Sequence, residues 1–546
     1  MAECRLALDG WACWRVPLSV TVAFALVTVF MTWPQALVMT THAADHQDVF
    51  FNLWRLRWVA HALSTWPVDL FDANIFHPEE GVLAFSDAML VQGLLAAPLL
   101  WAGVPPVLVH NLLLLGAIVT SAVGIFVLAR HVTGSAPGAL AAGAIFAFAP
   151  YRFEHYMHME LQWTVWIPWA FWALQRTIET GSVRFGLAAG LFVTLQMASS
   201  VYYGLFLLIL ISTVGFVQLI PLRGRALVRC SQALLLGGML AASMAWLYSL
   251  PYSAAAARVG TRSPHDVETY SAQPRDYRVA TPTNLLYGSP DGGAPERRLF
   301  PGILPPLLAV LGLLLVPPTT VALAYLTGLV VAFELSLGAN GYLYPVLYEH
   351  VGALRGLRVP ARASAFFLLF LGVLAAQGTV ALTRARTAAI RRVIAACACA
   401  VVLLEYRVGP LPLVPYPNEA PPLYALLASL PPGIVIEFPA PKPDAPPYHD
   451  PRYAYMSTFH WMPLLNGYSG FYPPSYLRRL VRLANFPDEE SVASLRRESV
   501  RYVIVHDDGY PTGERGRIVE RLRELNVVRV GDFRDGWGVG SLMELK

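Results

Sequence analysis

Apolar stretches of membrane-spanning length recur through the first four hundred residues of this chain, with too little polar sequence between them to surround a soluble core. A helix crosses a bilayer with roughly 17 to 25 apolar residues. Windows of about that length fall at 16–38, 106–130, 136–150, 161–176, 184–203, 204–222, 229–250, 301–317, 319–337, 363–383 and 390–408. The composition agrees: 55% hydrophobic residues, 14% charged residues and a mean hydropathy of +0.48. These values place the chain among α-helical polytopic membrane proteins.

Arginine placement fixes the expected orientation. A further apolar stretch, 88–103, either spans the membrane or lies in its interface. If it lies in the interface, Arg5, Arg15, Arg130, Arg176, Arg184, Arg223, Arg225, Arg384, Arg386, Arg391 and Arg392 all fall on one side. That side is then the cytoplasmic one. This reading gives about eleven spans, a cytoplasmic N-terminus and an extracytoplasmic tail. Val16 to Val38 reads as a retained first span rather than a cleaved signal. Cys4, Cys13, Cys230, Cys397 and Cys399 lie in or beside spans toward the cytoplasm, so no disulfide is expected.

The same choice gathers the polar segments on the outer face: 40–88, 151–160, 251–300 and 338–362. Val49 to Leu63 carries Phe50, Phe51, Trp54 and Trp58 with Arg55 and Arg57 between them, which reads as an interfacial helix or as a buried helix of the loop. From about Pro410 the chain changes character. Pro-rich stretches precede strand signals at Ile434–Phe438 and Tyr502–His506 and helix signals at Pro474–Ala484, Asp488–Arg497 and Glu514–Leu525. The expected division is a membrane domain at 1–409, its first outer loop carrying interfacial helices, followed by an extracytoplasmic α/β domain at 410–546, large enough for its own core.

Lys442 and Lys546 are the only lysines, and no Gly-rich loop ends in lysine, so a Walker-type ATP site is absent. The net charge of +4 is small and dispersed, which argues against nucleic acid as a partner. Chemistry is therefore sought in the outer loops. Asp45 and Asp48 directly follow the first span. A carboxylate there acts as a general base toward a hydroxyl or ligates a divalent ion such as Mg or Mn; alternatively, Asp48 caps the helix starting near Val49. Glu154, His155, His158 and Glu160 crowd one short segment, as a pocket wall or as a polar rim; their spacing matches no defined metal motif. Arg355, Arg358 and Arg362 supply cations before a late span. The guanidinium fork suits phosphate oxygens, whether of a specific ligand or of head groups that seat the helix. Arg258, Arg262, Arg275 and Arg278 add to this charge. Trp163, Trp166, Trp169, Tyr202 and Tyr203 read as an interfacial belt.

The acidic motif after span one, the helix behind it, the basic outer loop and the extracytoplasmic tail together resemble the GT-C superfamily of integral-membrane glycosyltransferases. Asp48-Val-Phe-Phe-Asn52-Leu-Trp54, Phe71-Asp-Ala-Asn74-Ile-Phe76-His77-Pro78, Ala149-Pro-Tyr-Arg152-Phe and Arg358-Val-Pro-Ala-Arg362 resemble an uncharacterised bacterial branch of it; Asn466-Gly-Tyr-Ser-Gly-Phe471 adds a thinner likeness in the tail. The resemblance implies an inner-membrane enzyme that moves a sugar from a polyprenyl-phosphate donor to a glycan, lipid or protein acceptor. It places the base at Asp48, with Asp45 second, and an assisting acid at Glu154 or Glu160. Many members carry an Asp-Glu pair where this chain has Gln47-Asp48. Arg358, Arg362, Arg355 and Arg152 are then candidates for the donor phosphate, and His155, His158, Asn52 and His77 for the pocket. Where a branch uses metal, Asp45, Asp48 and His158 are the candidate ligands.

Two other classes compete. A transporter or flippase of a lipid-linked saccharide would bury ionisable groups near mid-membrane and show repeats. Glu334 and Glu405 lie near outer span ends, and no repeat is evident. A non-catalytic envelope-assembly protein on the same fold is the third reading.

Overall fold

The computed structural model describes residues 18–290, 293–384, 386–442 and 448–546. Arg5, Arg15, Cys4 and Cys13, and the first two residues of the window 16–38, lie outside the described residues. Contacts divide the chain into two compact units: residues 1–37, 113–248 and 261–411 form one, and residues 38–112, 249–260 and 412–546 form the other. Residues 38–112 and 412–546 group in the same unit.

The first unit is helical, and a helix occupies each of its apolar windows. Among the described residues five helices are long and apolar enough to cross a membrane: Pro106–Thr133, Val201–Leu219, Gly224–Val259, Thr320–Asn340 and Pro360–Thr383. Leu18–Met31, Val183–Ser199 and Leu304–Leu315 are apolar and shorter. Small residues permit close crossings, which stabilise helix pairs where lipid offers no hydrophobic gain. A Cβ on Gly378 would meet the Leu308 carbonyl oxygen at 1.9 Å, and one on Gly138 the Ala376 oxygen at 2.6 Å. The helix Ser364–Thr383, buried over most of its length, is the centre of this packing. Glu405 and Glu334, the acids nearest the spans, serve the backbone. Glu405 Oε1 and Oε2 accept the Leu304 N–H at 3.3 and 3.1 Å at the start of Leu304–Leu315, satisfying a helix-end donor that lacks an internal partner. Glu334 Oε2 accepts the Tyr342 N–H at 3.0 Å.

The second unit is built on a four-stranded sheet. Its strands are β3 (Ile434–Phe438), β4 (Val500–His506), β5 (Val528–Asp535) and β6 (Gly538–Glu544) in the order β3-β4-β6-β5, with β3 and β4 parallel and the remaining pairs antiparallel. Ile436, Val503, Val505 and Met543 form its apolar face with Val492, Leu495 and Leu522 from the covering helices. Those helices, Pro474–Arg482, Glu489–Arg497 and Glu514–Glu524, lie where the periodicity places them.

Two short strands, β1 (His42–Ala44) and β2 (Leu413–Pro415), pair antiparallel and bind the first loop to the tail. The helix Gln47–Ser64 is buried rather than interfacial. Phe50 packs on Tyr416, Tyr455 and Trp537 with ring centroids 4.6, 6.1 and 6.1 Å away. Burying one such ring stabilises by roughly 1.5–3 kcal/mol. Both arginines of this helix reach carbonyl oxygens, Arg55 that of Asp87 at 2.8 Å and Arg57 that of Thr458 at 3.1 Å, which removes the solvated face an interfacial helix needs. The stretch 88–103 contains the helix Leu90–Trp101, which exposes Leu94, Leu95, Leu99 and Trp101.

Candidate functional site

Asp48 lies in the first turn of Gln47–Ser64, yet it does not cap that helix. His46 is the N-cap, and its Nδ1 accepts the Asp48 N–H at 3.1 Å. The Asp48 carboxylate is therefore not consumed by capping. Its Oδ1 accepts the Tyr468 hydroxyl at 2.6 Å, and its Oδ2 stands 3.7 Å from His46 Nδ1. Because Nδ1 is occupied as an acceptor, the imidazole carries its proton on Nε2 when neutral. The positive end of the helix dipole and the phenolic donor both favour the ionised carboxylate. Asp45 is exposed, and its N–H donates to the Pro412 carbonyl at 3.1 Å.

The segment 151–160, in the other unit, folds as two short helices, Pro150–Glu154 and Met159–Gln162. Its charges are drawn inward. His155 is buried, with Nδ1 3.3 Å from His158 Nδ1 and Nε2 3.4 Å from Glu296 Oε2. Burial, together with the neighbouring cations, lowers the His155 pKa to about 3, so the ring is neutral. Glu296 meets Arg362 through two oxygens, at 2.6 Å and 3.4 Å. Burial alone would raise the Glu296 pKa, but Arg362 overrides it and holds the carboxyl at about 2. Glu154 accepts Arg298 at 2.6 Å. Tyr151, buried beside this pair, has a hydroxyl with no hydrogen-bond partner among the described residues.

The candidate phosphate arginines differ sharply. Arg152 is buried, and all of its nitrogens donate within the protein: Nε to Phe146 O at 3.0 Å, one terminal nitrogen to Gln162 O at 3.1 Å and the other to Thr164 Oγ1. It fastens the turn and presents no fork to a phosphate. Arg362 is neutralised by Glu296 and lies over the Tyr202 ring, 4.6 Å from its centroid. Arg355 is exposed and donates to the carbonyls of Tyr348 and Glu349 at 3.3 and 2.8 Å. Among the described residues, Arg358 has no carboxylate within ion-pair distance. Its guanidinium lies 5.5 Å from the Tyr270 ring centre, and its backbone N–H donates to the Tyr202 hydroxyl at 2.9 Å. Arg262 lies close by: burial first, and then the charge of Arg358, lower its pKa. Asp266, the acid that feels both charges, is engaged in a capping box with Ser263.

Asn52 and His77 are architectural. Asn52 is fully buried and accepts Arg55 through its side-chain oxygen. The His77 carbonyl accepts Arg479 at 3.0 Å, and Asn74 and Phe76 beside it exchange backbone bonds with Leu464 and Asn466. The His77 ring does line a cavity of about 340 Å³ with Arg478, Arg482 and Glu498. Among the described residues no three His, Cys, Asp or Glu side chains gather as a metal site; Asp45 and Asp48 belong to one unit and His158 to the other. Sequence reasoning missed Glu296 and Tyr468. Glu296 belongs to no motif. Tyr468 lies in the quoted Asn466-Gly-Tyr-Ser-Gly-Phe471, where its hydroxyl was the available signal.

The helical unit and the mixed sheet of the other unit define the class by fold: it is a fold found in solved glycosyltransferases. Specifically, the chain superimposes on the arabinofuranosyltransferase AftD from Mycobacteria with a TM-score of 0.64 at 15% identity, covering 98% of this chain and 40% of that one. A mutant form of the same enzyme gives 0.60 at 16% identity, with 96% and 41% covered. The oligosaccharyltransferase of Archaeoglobus fulgidus gives 0.49 at 12% identity, with 91% and 70% covered. The chain thus spans about two-fifths of the length of AftD. No family profile and no curated protein matches it in sequence.

Proposed function

We propose that this chain is an inverting glycosyltransferase of the bacterial inner membrane, moving a sugar from a polyprenyl-phosphate donor to an acceptor hydroxyl at the extracytoplasmic face. The observation that carries the reading is Arg358, a part-buried guanidinium beside Arg262 that has no carboxylate partner among the described residues, on a GT-C fold. Two neighbouring guanidinium groups repel, and an anion relieves that repulsion; a phosphate accepts the fork in two parallel bonds. The arginine distribution supports the outer face, with the N-terminus inside and about eleven spans.

In this reading the Asp48 carboxylate takes the proton of the acceptor hydroxyl as that oxygen bonds to the anomeric carbon. The bond from this carbon to the phosphate oxygen breaks, and its electron pair leaves with the polyprenyl phosphate. Arg358 holds the departing phosphate, on which charge accumulates. Attack from the face opposite the phosphate inverts the anomeric centre. Glu154, which meets Arg298 at 2.6 Å, and Glu160 are the candidate assisting acids. Arg362 keeps Arg358 in place by closing its loop onto Glu296.

The test uses membranes containing the full chain, supplied with undecaprenyl-phosphate-linked hexoses and pentoses. Asp48→Asn and Arg358→Ala each lower transfer by roughly two orders of magnitude or more. Full transfer in both single variants refutes the assignment. Movement of lipid-linked sugar across liposomes without product would establish transport instead.

A further inference from the structure

We infer that Tyr468 is a positioning residue for Asp48, so that the tail loop 466–471 sets the aim and basicity of the proposed base; this rests on the reading of Asp48 given above. The contact joins residues 420 positions apart, and at 2.6 Å the phenol donates to a carboxylate at the short end of such bonds.

Each partner is held by its own frame. Asn466 clamps the loop to β3 in both directions: its Oδ1 accepts the Glu437 N–H at 2.8 Å, and its Nδ2 donates to the Glu437 carbonyl at 3.0 Å. A Cβ on Gly467 would lie 2.5 Å from the Phe76 ring, so the backbone passes where only glycine fits. The Phe471 N–H donates to the Phe85 carbonyl at 3.1 Å, closing the far end of the loop. The Tyr468 ring meets Phe51 edge-on at 5.1 Å, and Phe51 lies on the same helix as Asp48. On the other side, the His46 cap fixes the backbone of Asp48.

A hydroxyl held this rigidly has two effects on the carboxylate. It anchors Oδ1 and thereby orients the rest of the group toward a hydroxyl to be deprotonated. It also favours the ionised form over the protonated one, because the phenol donates to the charged oxygen. A tie that served only to join loop and helix would act through the ring and would not move the titration of Asp48.

The purified full chain is labelled with a water-soluble carbodiimide, which reacts with the protonated carboxyl, and Asp48 labelling is followed by mass spectrometry across the acid range. Tyr468→Phe moves the labelling midpoint up by about one pH unit, the size expected for losing one hydrogen bond to a charged group. Phe51→Leu, which removes the ring contact and keeps the hydroxyl, leaves the midpoint in place. An unmoved midpoint in Tyr468→Phe, or an equal shift in Phe51→Leu, overturns the inference. In the transfer assay Tyr468→Phe lowers kcat roughly tenfold with KM near its original value, and the acid limb of the pH profile rises with the labelling midpoint. Activity retained by Asp48→Asn removes the base assignment, whereas the labelling midpoint alone still decides whether Tyr468 governs Asp48.

Discussion

Arg358 and Arg362 leave the same short loop and meet opposite surroundings. Arg362 is buried, bonded to Glu296 through two oxygens and covered by the Tyr202 ring. The backbone N–H of Arg358 donates to the Tyr202 hydroxyl, and among the described residues its guanidinium has no acid partner. A buried cation that is fully paired has little left to offer a ligand, while removal of its partner is severe. A part-buried cation without a partner retains its capacity for an anion. Motif reading groups the two as equal phosphate ligands; their environments divide them into a strut and a hand.

The largest test of this division is Glu296→Gln, which leaves Arg362 buried and unpaired. Breaking such a pair costs roughly 3–5 kcal/mol, to be seen as a large drop in the thermal midpoint of the purified protein. A small drop would mean that Arg362 is less committed than its geometry implies. Arg358→Ala should do the reverse, lowering kcat/KM by roughly two to three orders of magnitude while the thermal midpoint changes little.

The cluster also predicts an acid limit to stability. His155 has a folded pKa of about 3 against an ordinary 6.5, so its neutral form is the one the fold accepts. Its contribution is fully present above pH 6.5 and is lost as pH falls from there toward 3, because the unfolded chain takes up the proton first. Glu296, lowered from 4.5 to about 2, adds a second loss in the same direction below pH 4.5. Replacing His155 by Asn should flatten the decline between pH 6.5 and 4.5 by up to about 1.4 kcal/mol per pH unit, measured by chemical unfolding at each pH. An unchanged slope would place the proton uptake elsewhere.

What could be read in advance follows from the range of the interactions. The spans depend on local hydropathy, and helices fill their windows. The strand at Ile434–Phe438 matches its apolar run residue for residue. The β5–β6 hairpin, closed by Asp535-Gly536-Trp537-Gly538, carried a turn signal in its Asp-Gly pair that strand alternation alone did not pick out. Burial of Gln47–Ser64 was undecided locally: its arginines look solvated in sequence, and their partners, Asp87 for Arg55 and Thr458, 401 positions away, for Arg57, lie outside the helix. Glu296 was invisible for the same reason. A lone loop acid acquires meaning only when Arg362 and His155 arrive from other segments. Asp48 was legible as an acid in a favourable place, but the assignment of the cap to His46 needed backbone geometry.

The smallest expected effect belongs to Arg355, the third arginine of the basic segment. It is exposed, and its bonds run to two carbonyls at the end of the helix Leu343–His350, where a cation also meets the negative end of the helix dipole. That interaction is worth roughly 0.3–1 kcal/mol at an exposed position. Arg355→Ala should therefore shift stability by no more than about that amount and change kcat/KM by less than about fivefold, since 1 kcal/mol corresponds to roughly that factor. Measured beside Arg358→Ala in the same membranes, it separates placement from charge. Both variants remove one positive charge from one loop, so a general loss of attraction for anionic lipid would lower them equally. A loss confined to Arg358 requires that its guanidinium, and no other in the segment, meets the phosphate.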